Sequence, residues 1–66
     1  MKYSLVGIDG NAFAVLRYTA NALKTEGLSN LKEEMYQKAM SSTHNNLLVV
    51  CSTYLDRANN KAMENN

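Results

Sequence analysis

Apolar residues recur at spacings of three and four between Asn11 and Glu26, which predicts an amphipathic helix over this stretch. The stretch contains no glycine or proline, and Gly27 follows it at the position where a left-handed residue ends many helices. Asp9 and Asn11 precede its first apolar residue, and their side chains are suited to bond the free amides of an opening turn. We therefore expect a first helix with a defined start and a defined end.

A second helix is predicted after a very short loop. Ser29 or Asn30 is suited to cap it, and Asn30 with Glu33 has the spacing of a capping box. We expect this helix to end near Met40 or Ser41, before the polar break at 41–43. Its apolar side carries Leu31, Met35, Tyr36, Ala39 and Met40.

A third helix is predicted from His44 onward, because apolar residues fall on one helical stripe as far as Ala58. The run 47–54 is also rich in β-branched residues, so a buried second strand is the alternative for this part of the chain. That alternative would make the fold α+β. The predicted core consists of Phe13, Leu16, Leu23, Leu28, Leu31, Met35, Leu48, Cys51 and Leu55.

Residues 3–8 alternate weakly in polarity, and this pattern predicts a short strand ahead of the helices. The predicted fold class is therefore mainly α, with the element order β-α-α-α. Residues 1–58 should form a single small domain. Residues 59–66 contain four asparagines and little to bury, so we expect a frayed or disordered polar tail.

The predicted strand implies self-association, because a lone strand has no neighbour for its backbone donors and acceptors. A chain of 66 residues also buries only about 60% of the surface that its unfolded form exposes. We therefore expect a homo-oligomer, with a dimer as the simplest case, and Leu5, Val6 and Ile8 at or beside its interface. On this hypothesis Val6→Pro should dissociate or unfold the protein.

Composition narrows the function classes. Seven basic and six acidic residues give a net charge of +1, which disfavours strong nucleic-acid binding. Cys51 is the single cysteine and His44 the single histidine, so neither a disulfide nor a Cys/His metal site is expected. The lone thiol and the lack of a secretory leader or a spanning apolar run predict a cytoplasmic protein without membrane insertion. Nothing indicates an enzyme or a cofactor.

Two short patterns are candidate contact sites. Gly7-x-x-Gly10 lies between the predicted strand and the first helix, so Asp9, Gly10 and Asn11 are a candidate anion or nucleotide site. The pattern lacks the further glycine of a dinucleotide fingerprint, and a capped turn explains it as well. Arg17 and Lys24 form a small basic stripe on the first helix, which is either a solvated face or a surface for an acidic partner.

Part of the chain resembles a known family. Gly7-x-Asp9-Gly10-Asn11-Ala12-Phe13 is followed by Leu16, Ala22-Leu23-Lys24, Gly27-Leu28-Ser29 and Leu47-Leu48. This pattern is similar to small bacterial and phage proteins of unknown function that carry an Asp-Gly-Asn-Ala-Phe motif, over roughly residues 3–55. The resemblance implies a cytoplasmic, mostly helical accessory protein, and it implies no activity.

The leading hypothesis is a small non-enzymatic protein-interaction module, plausible as a phage or mobile-element accessory factor that associates with itself and with a host protein. The alternative is a protein that captures a small anion or nucleotide at the turn of residues 7–13. Tyr36, Met40 and Tyr54 have side-chain types that fill cores and also occur at binding surfaces, and core positions are the favoured assignment.

Overall fold

The structure, a computed structural model, describes residues 2–64 and contains three α-helices. These are α1 (Ala12–Thr25), α2 (Lys32–Met40) and α3 (His44–Glu64), with a short 3₁₀ turn at Ser29–Leu31 before α2. The 21-residue α3 packs against both α1 and α2. The mainly helical fold is therefore confirmed, but residues 2–64 include no strand.

The end of α1 is the one that the sequence predicts. Gly27 has a φ of 77°, in the left-handed region that a glycine adopts without strain. Its amide donates to the carbonyl of Lys24 at 3.1 Å, and the amide of Leu28 donates to the carbonyl of Leu23 at 2.7 Å. These two bonds are those of a Schellman motif, and they satisfy the carbonyls of Leu23 and Lys24 near the end of α1.

The start of α2 differs from the prediction. Ser29 and Asn30 belong to the 3₁₀ turn and do not cap the helix. Leu31 precedes α2 without a side-chain cap, and its own amide donates to the carbonyl of Leu28 at 2.9 Å. A backbone turn replaces the predicted capping box here, whereas the predicted end at Met40 is confirmed.

Helix α3 includes all of residues 47–54, so the alternative of a second strand is wrong. Its first turn is capped by Thr43, whose Oγ1 accepts a bond from the amide of Asn46 at 3.3 Å. The predicted frayed tail is also corrected as far as residue 64, because α3 continues there with Asn59 and Ala62 buried. Residues 65–66 of that predicted tail lie outside the described residues.

The core lies between α3 and the other two helices, and most of its predicted members are buried or half-buried there. Phe13 is the exception, because its side chain is 69% exposed. It lies in the first turn of α1, where residues 2–64 leave it uncovered. The buried apolar cluster consists of Val15, Leu16, Ala20, Ala22, Leu23, Met35, Ala39, Leu47, Cys51, Tyr54, Leu55 and Ala58.

Residues 2–8, the N-terminal segment, contact the helices without forming the predicted strand. The amide of Tyr3 donates to Oδ1 of Asn59 at 2.7 Å, and Nδ2 of Asn59 donates to the carbonyl of Tyr3 at 2.9 Å. The amide of Ser4 donates to the hydroxyl of Tyr18 at 3.1 Å. Side chains of α1 and α3 thus supply the hydrogen bonds that a neighbouring strand would supply.

The N-terminal segment reverses direction in a turn at residues 5–8. The amide of Ile8 donates to the carbonyl of Leu5 at 3.1 Å, and Gly7 has a φ of 83° at the third position of the turn. Because the φ of Val6 at the second position is not positive, this is a type II turn, in which glycine is favoured at the third position. Leu5 and Ile8 pack against the core, whereas Val6 is 90% exposed.

Val6→Pro should be tolerated, contrary to the expectation from a paired strand. Val6 occupies the second position of the turn, where proline is favoured, and its amide bonds only the hydroxyl of Ser4 at 3.1 Å. We expect the free energy of unfolding to change by less than about 1 kcal/mol. Thermal denaturation followed by circular dichroism measures this change, and loss of the folded state in the variant would contradict the turn.

Candidate functional site

The turn at residues 9–11 is closed by its own side chains. Oδ1 of Asp9 accepts a bond from the amide of Asn11 at 3.0 Å, and Oδ1 of Asn11 accepts one from the amide of Phe13 at 2.8 Å. Asn11 has extended backbone angles and is the N-cap of α1. The prediction that one of these two side chains caps the first helix is therefore confirmed.

This geometry does not add to the hypothesis of an anion site at Asp9, Gly10 and Asn11. The amides of Asn11 and Phe13 already have partners, and the Asp9 carboxylate lies beside them. All three predicted site residues are exposed. Their contacts are those of a capped turn, and a ligand role for them stays a prediction.

The two basic residues of the predicted stripe lie in different surroundings. Arg17 and Lys24 are both exposed on α1, about 10 Å apart along the helix axis by their spacing. Lys24 is in the last turn, where a positive charge interacts favourably with the helix dipole. Arg17 instead lines a groove between α1 and α2.

We call the lining of that groove the Phe13 surface: Phe13, Leu16, Arg17, Tyr36 and Met40. The groove has a volume of about 320 Å³. Phe13 and Met40 are 69% and 62% exposed, Tyr36 is half-buried, and Leu16 is buried. Two large apolar side chains of the same groove are therefore exposed to solvent.

The sequence patterns assigned most of this surface to the core. Phe13 shares the helical stripe of Leu16 and Leu23, and Met40 shares the apolar side of α2. The spacing of apolar residues therefore predicts core positions for both. Both lie in the terminal turn of their helix, Phe13 in the first of α1 and Met40 in the last of α2. The sequence feature that indicates their exposure is this position in a terminal turn, because the end of a helix often extends past the elements that cover its middle.

A second groove, of about 210 Å³, lies between α2 and α3 around Tyr54. Nζ of Lys38 and the guanidinium of Arg57 lie 5.7 Å and 5.1 Å from the centre of the Tyr54 ring. The Tyr54 hydroxyl donates to the carboxylate of Glu34, and this bond with the nearby cations lowers the pKa of that carboxyl. The Glu34 carboxylate partly neutralises the positive charges of Lys38 and Arg57, so charges of both signs lie around this groove.

A charged cluster fastens the N-terminal segment to the end of α1. The Tyr3 hydroxyl and Nζ of Lys2 both donate to Oε2 of Glu26, the latter at 3.0 Å, and the Glu26 side chain is buried. The bond from Tyr3, followed by that from Lys2, lowers the pKa of the Glu26 carboxyl. The ionised carboxylate is thus the form that holds the segment.

Cys51 and His44 are too far apart to act together. Cys51 is fully buried, and burial raises the pKa of its thiol, as expected for an unreactive core cysteine. His44 is exposed at the first residue of α3, seven residues away on the same helix. Within residues 2–64, no three His, Cys, Asp or Glu side chains are grouped so that they could hold a metal ion.

Comparison with models of protein families, with curated proteins and with solved structures found no match for the chain. Among the helices of residues 2–64, none has both the length and the apolar character needed to cross a bilayer. The interpretation of function therefore depends on the surfaces described above.

Asn11→Ala should destabilise the fold by about 1 kcal/mol, because it removes the cap on the amide of Phe13. For a domain of this size the melting temperature should fall by about 4–8 °C. Asp9→Ala is the matched control and should lower the free energy of unfolding by less, because the Asp9 side chain accepts from an amide outside the helix. Equal melting temperatures for Asn11→Ala and the unchanged protein would contradict the capping role.

Glu26→Gln should flatten the acid side of the pH–stability profile. The folded-state pKa of Glu26 is lowered, so its contribution is complete above the ordinary value of 4.5 and is lost as the pH falls through the folded pKa. Urea denaturation between pH 7 and pH 3 tests this, with Glu33→Gln, an exposed residue of α2, as the control. A Glu26→Gln profile as steep as that of the control would show that Glu26 does not hold the segment.

Proposed function

We propose that this chain is a small non-enzymatic interaction module that binds a partner protein through the Phe13 surface. The observation that carries the proposal is the exposure of Phe13 and Met40 side by side on one groove. Exposed apolar patches that are rimmed by polar residues mark interaction sites on soluble proteins. Burial of these side chains by a partner would supply the free energy of binding.

The composition of the Phe13 surface also favours a protein partner. Aromatic residues, methionine and arginine are enriched at protein interfaces, and Phe13, Tyr36, Met40 and Arg17 are of these types. Phe13 projects from a helix whose start is fixed by the Asn11 cap. The side chain is therefore presented by an ordered element, which lowers the entropy lost on binding.

The same surface indicates the chemistry of the partner. The groove has space for an apolar side chain, and Arg17 is the charged residue among those that line it. A partner segment with an apolar anchor and a neighbouring carboxylate would complement both features. A host protein of a phage or mobile-element factor fits this description, and the resemblance of the Asp9 to Phe13 motif is what suggests that setting.

Phe13→Ser should weaken partner binding without destabilising the fold, since Phe13 is an exposed side chain in the first turn of α1. Met63→Ser is the matched control, because Met63 is 74% exposed and does not line the Phe13 groove. A protein captured from lysate by the unchanged chain and by the control is purified and its Kd measured by titration calorimetry. We expect Phe13→Ser to weaken binding by about thirtyfold or more.

The two variants are first compared by thermal denaturation to establish that both are folded. Capture of the same protein with equal Kd by Phe13→Ser and Met63→Ser would contradict the assignment of the Phe13 surface. Binding that is lost equally in both variants would contradict it as well.

A further inference from the structure

We propose that two copies of this chain can exchange the first part of their N-terminal segments, so that residues 2–4 of each copy occupy the groove on α1 and α3 of the other. This inference concerns a different face from the Phe13 surface and does not depend on the proposed function. The proposed occupant of the groove is the N-terminal segment of a second copy of the same chain. Its fit is known, because the segment fills the same groove within one copy.

The groups that hold the segment form a built site for an extended chain. Asn59 is buried and bonds both the amide and the carbonyl of Tyr3, as the backbone of a strand would. Tyr18 accepts from the next amide, and buried Glu26 accepts from the side chains of the segment. These contacts depend on the conformation of the segment and not on its covalent link to the same α1.

The link between the exchanged residues and α1, residues 5–11, is suited to act as a hinge. Gly7 and Gly10 lie within it, and an added Cβ at either would meet no atom within 4 Å. The side-chain bonds of Asp9 and Asn11 are both to amides two residues away, so the bond that Asn11 accepts fixes the start of α1 and neither bond ties the link to α2 or α3. The Gly7 turn is what directs the segment back onto its own helices.

An emptied groove would leave costly groups unpaired. Without the segment, buried Glu26 loses its bonds from Tyr3 and Lys2, and Asn59 loses both of its bonds. A second copy restores all of them, which favours exchange over a simply opened chain. A copy's own segment competes for its groove at an effective concentration of the order of millimolar. The segment of a second copy competes at the protein concentration, so the exchanged fraction should rise with protein concentration.

The hinge predicts a difference between two glycine variants. Alanine at Gly7 must adopt the left-handed backbone of the turn, whereas Gly10 has no positive φ. The strain should weaken the closed form of each copy by a factor of about five to thirty, so Gly7→Ala should lower the Kd of the dimer, in which two hinges open, by about the square of that factor. Gly10→Ala should leave this Kd unchanged. Light scattering coupled to size-exclusion chromatography measures the Kd of both full chains.

A disulfide trap identifies the exchanged form directly. Ser4 and Ser52 line the same cavity, of about 220 Å³, between the segment and α3. Ser4→Cys and Ser52→Cys are made separately on a Cys51→Ala background, mixed at high concentration and oxidised. Exchange should give the mixed Ser4–Ser52 dimer in excess over the same reaction with Val49→Cys, an exposed position that does not line this cavity.

The two measurements fail in different ways and either can overturn the inference. Gly7→Ala and Gly10→Ala with the same Kd would remove the hinge. A mixed disulfide no more abundant than in the Val49→Cys control would exclude the exchange. Any dimer seen by light scattering would then have to form through another surface. The trap uses the unchanged Gly7, so its result stands if Gly7→Ala fails to fold.

Discussion

The two hydrogen bonds between the Asn59 side chain and the Tyr3 backbone decide the form of the whole N-terminal region. A primary amide presents a donor and an acceptor much as a peptide group does, so one side chain on α3 takes the place of a strand. The segment can then run extended against the helices with its polar groups satisfied. Leu5 and Ile8 are thereby placed on the core, and Glu26 gains the partners that make its burial tolerable.

Much of the fold could be predicted from the sequence because local rules determine it. The Asn11 cap and the Gly27 termination depend on residues within a few positions of each other, and both were predicted. The strand of residues 3–8 was predicted wrongly because a period of two indicates an extended chain and says nothing about its hydrogen-bond partner. That partner, Asn59, is 56 residues away in a segment whose composition resembles a disordered tail.

The candidate site shows the same limit in another form. Periodicity placed Phe13 and Met40 in the core because it reports which face of a helix is apolar, and not where along the axis that face is covered. The structure brings these two residues together on one exposed groove with Arg17, the one predicted contact residue that lines it. Contact with a partner through this groove and exchange of the N-terminal segment use separate faces, so the proposals can be tested independently.

Hydrogen exchange of the Tyr3 amide, followed by NMR at low protein concentration, tests the central role of Asn59 most directly. We expect a protected Tyr3 amide in the monomer, and loss of that protection in Asn59→Ala while the Leu23 amide within α1 stays protected. Asn60→Ala, an exposed neighbour on α3, should leave the Tyr3 amide protected. If the Tyr3 amide exchanges as fast as in a free peptide, or as slowly in Asn59→Ala as in the unchanged protein, the Asn59 side chain does not hold the N-terminal segment.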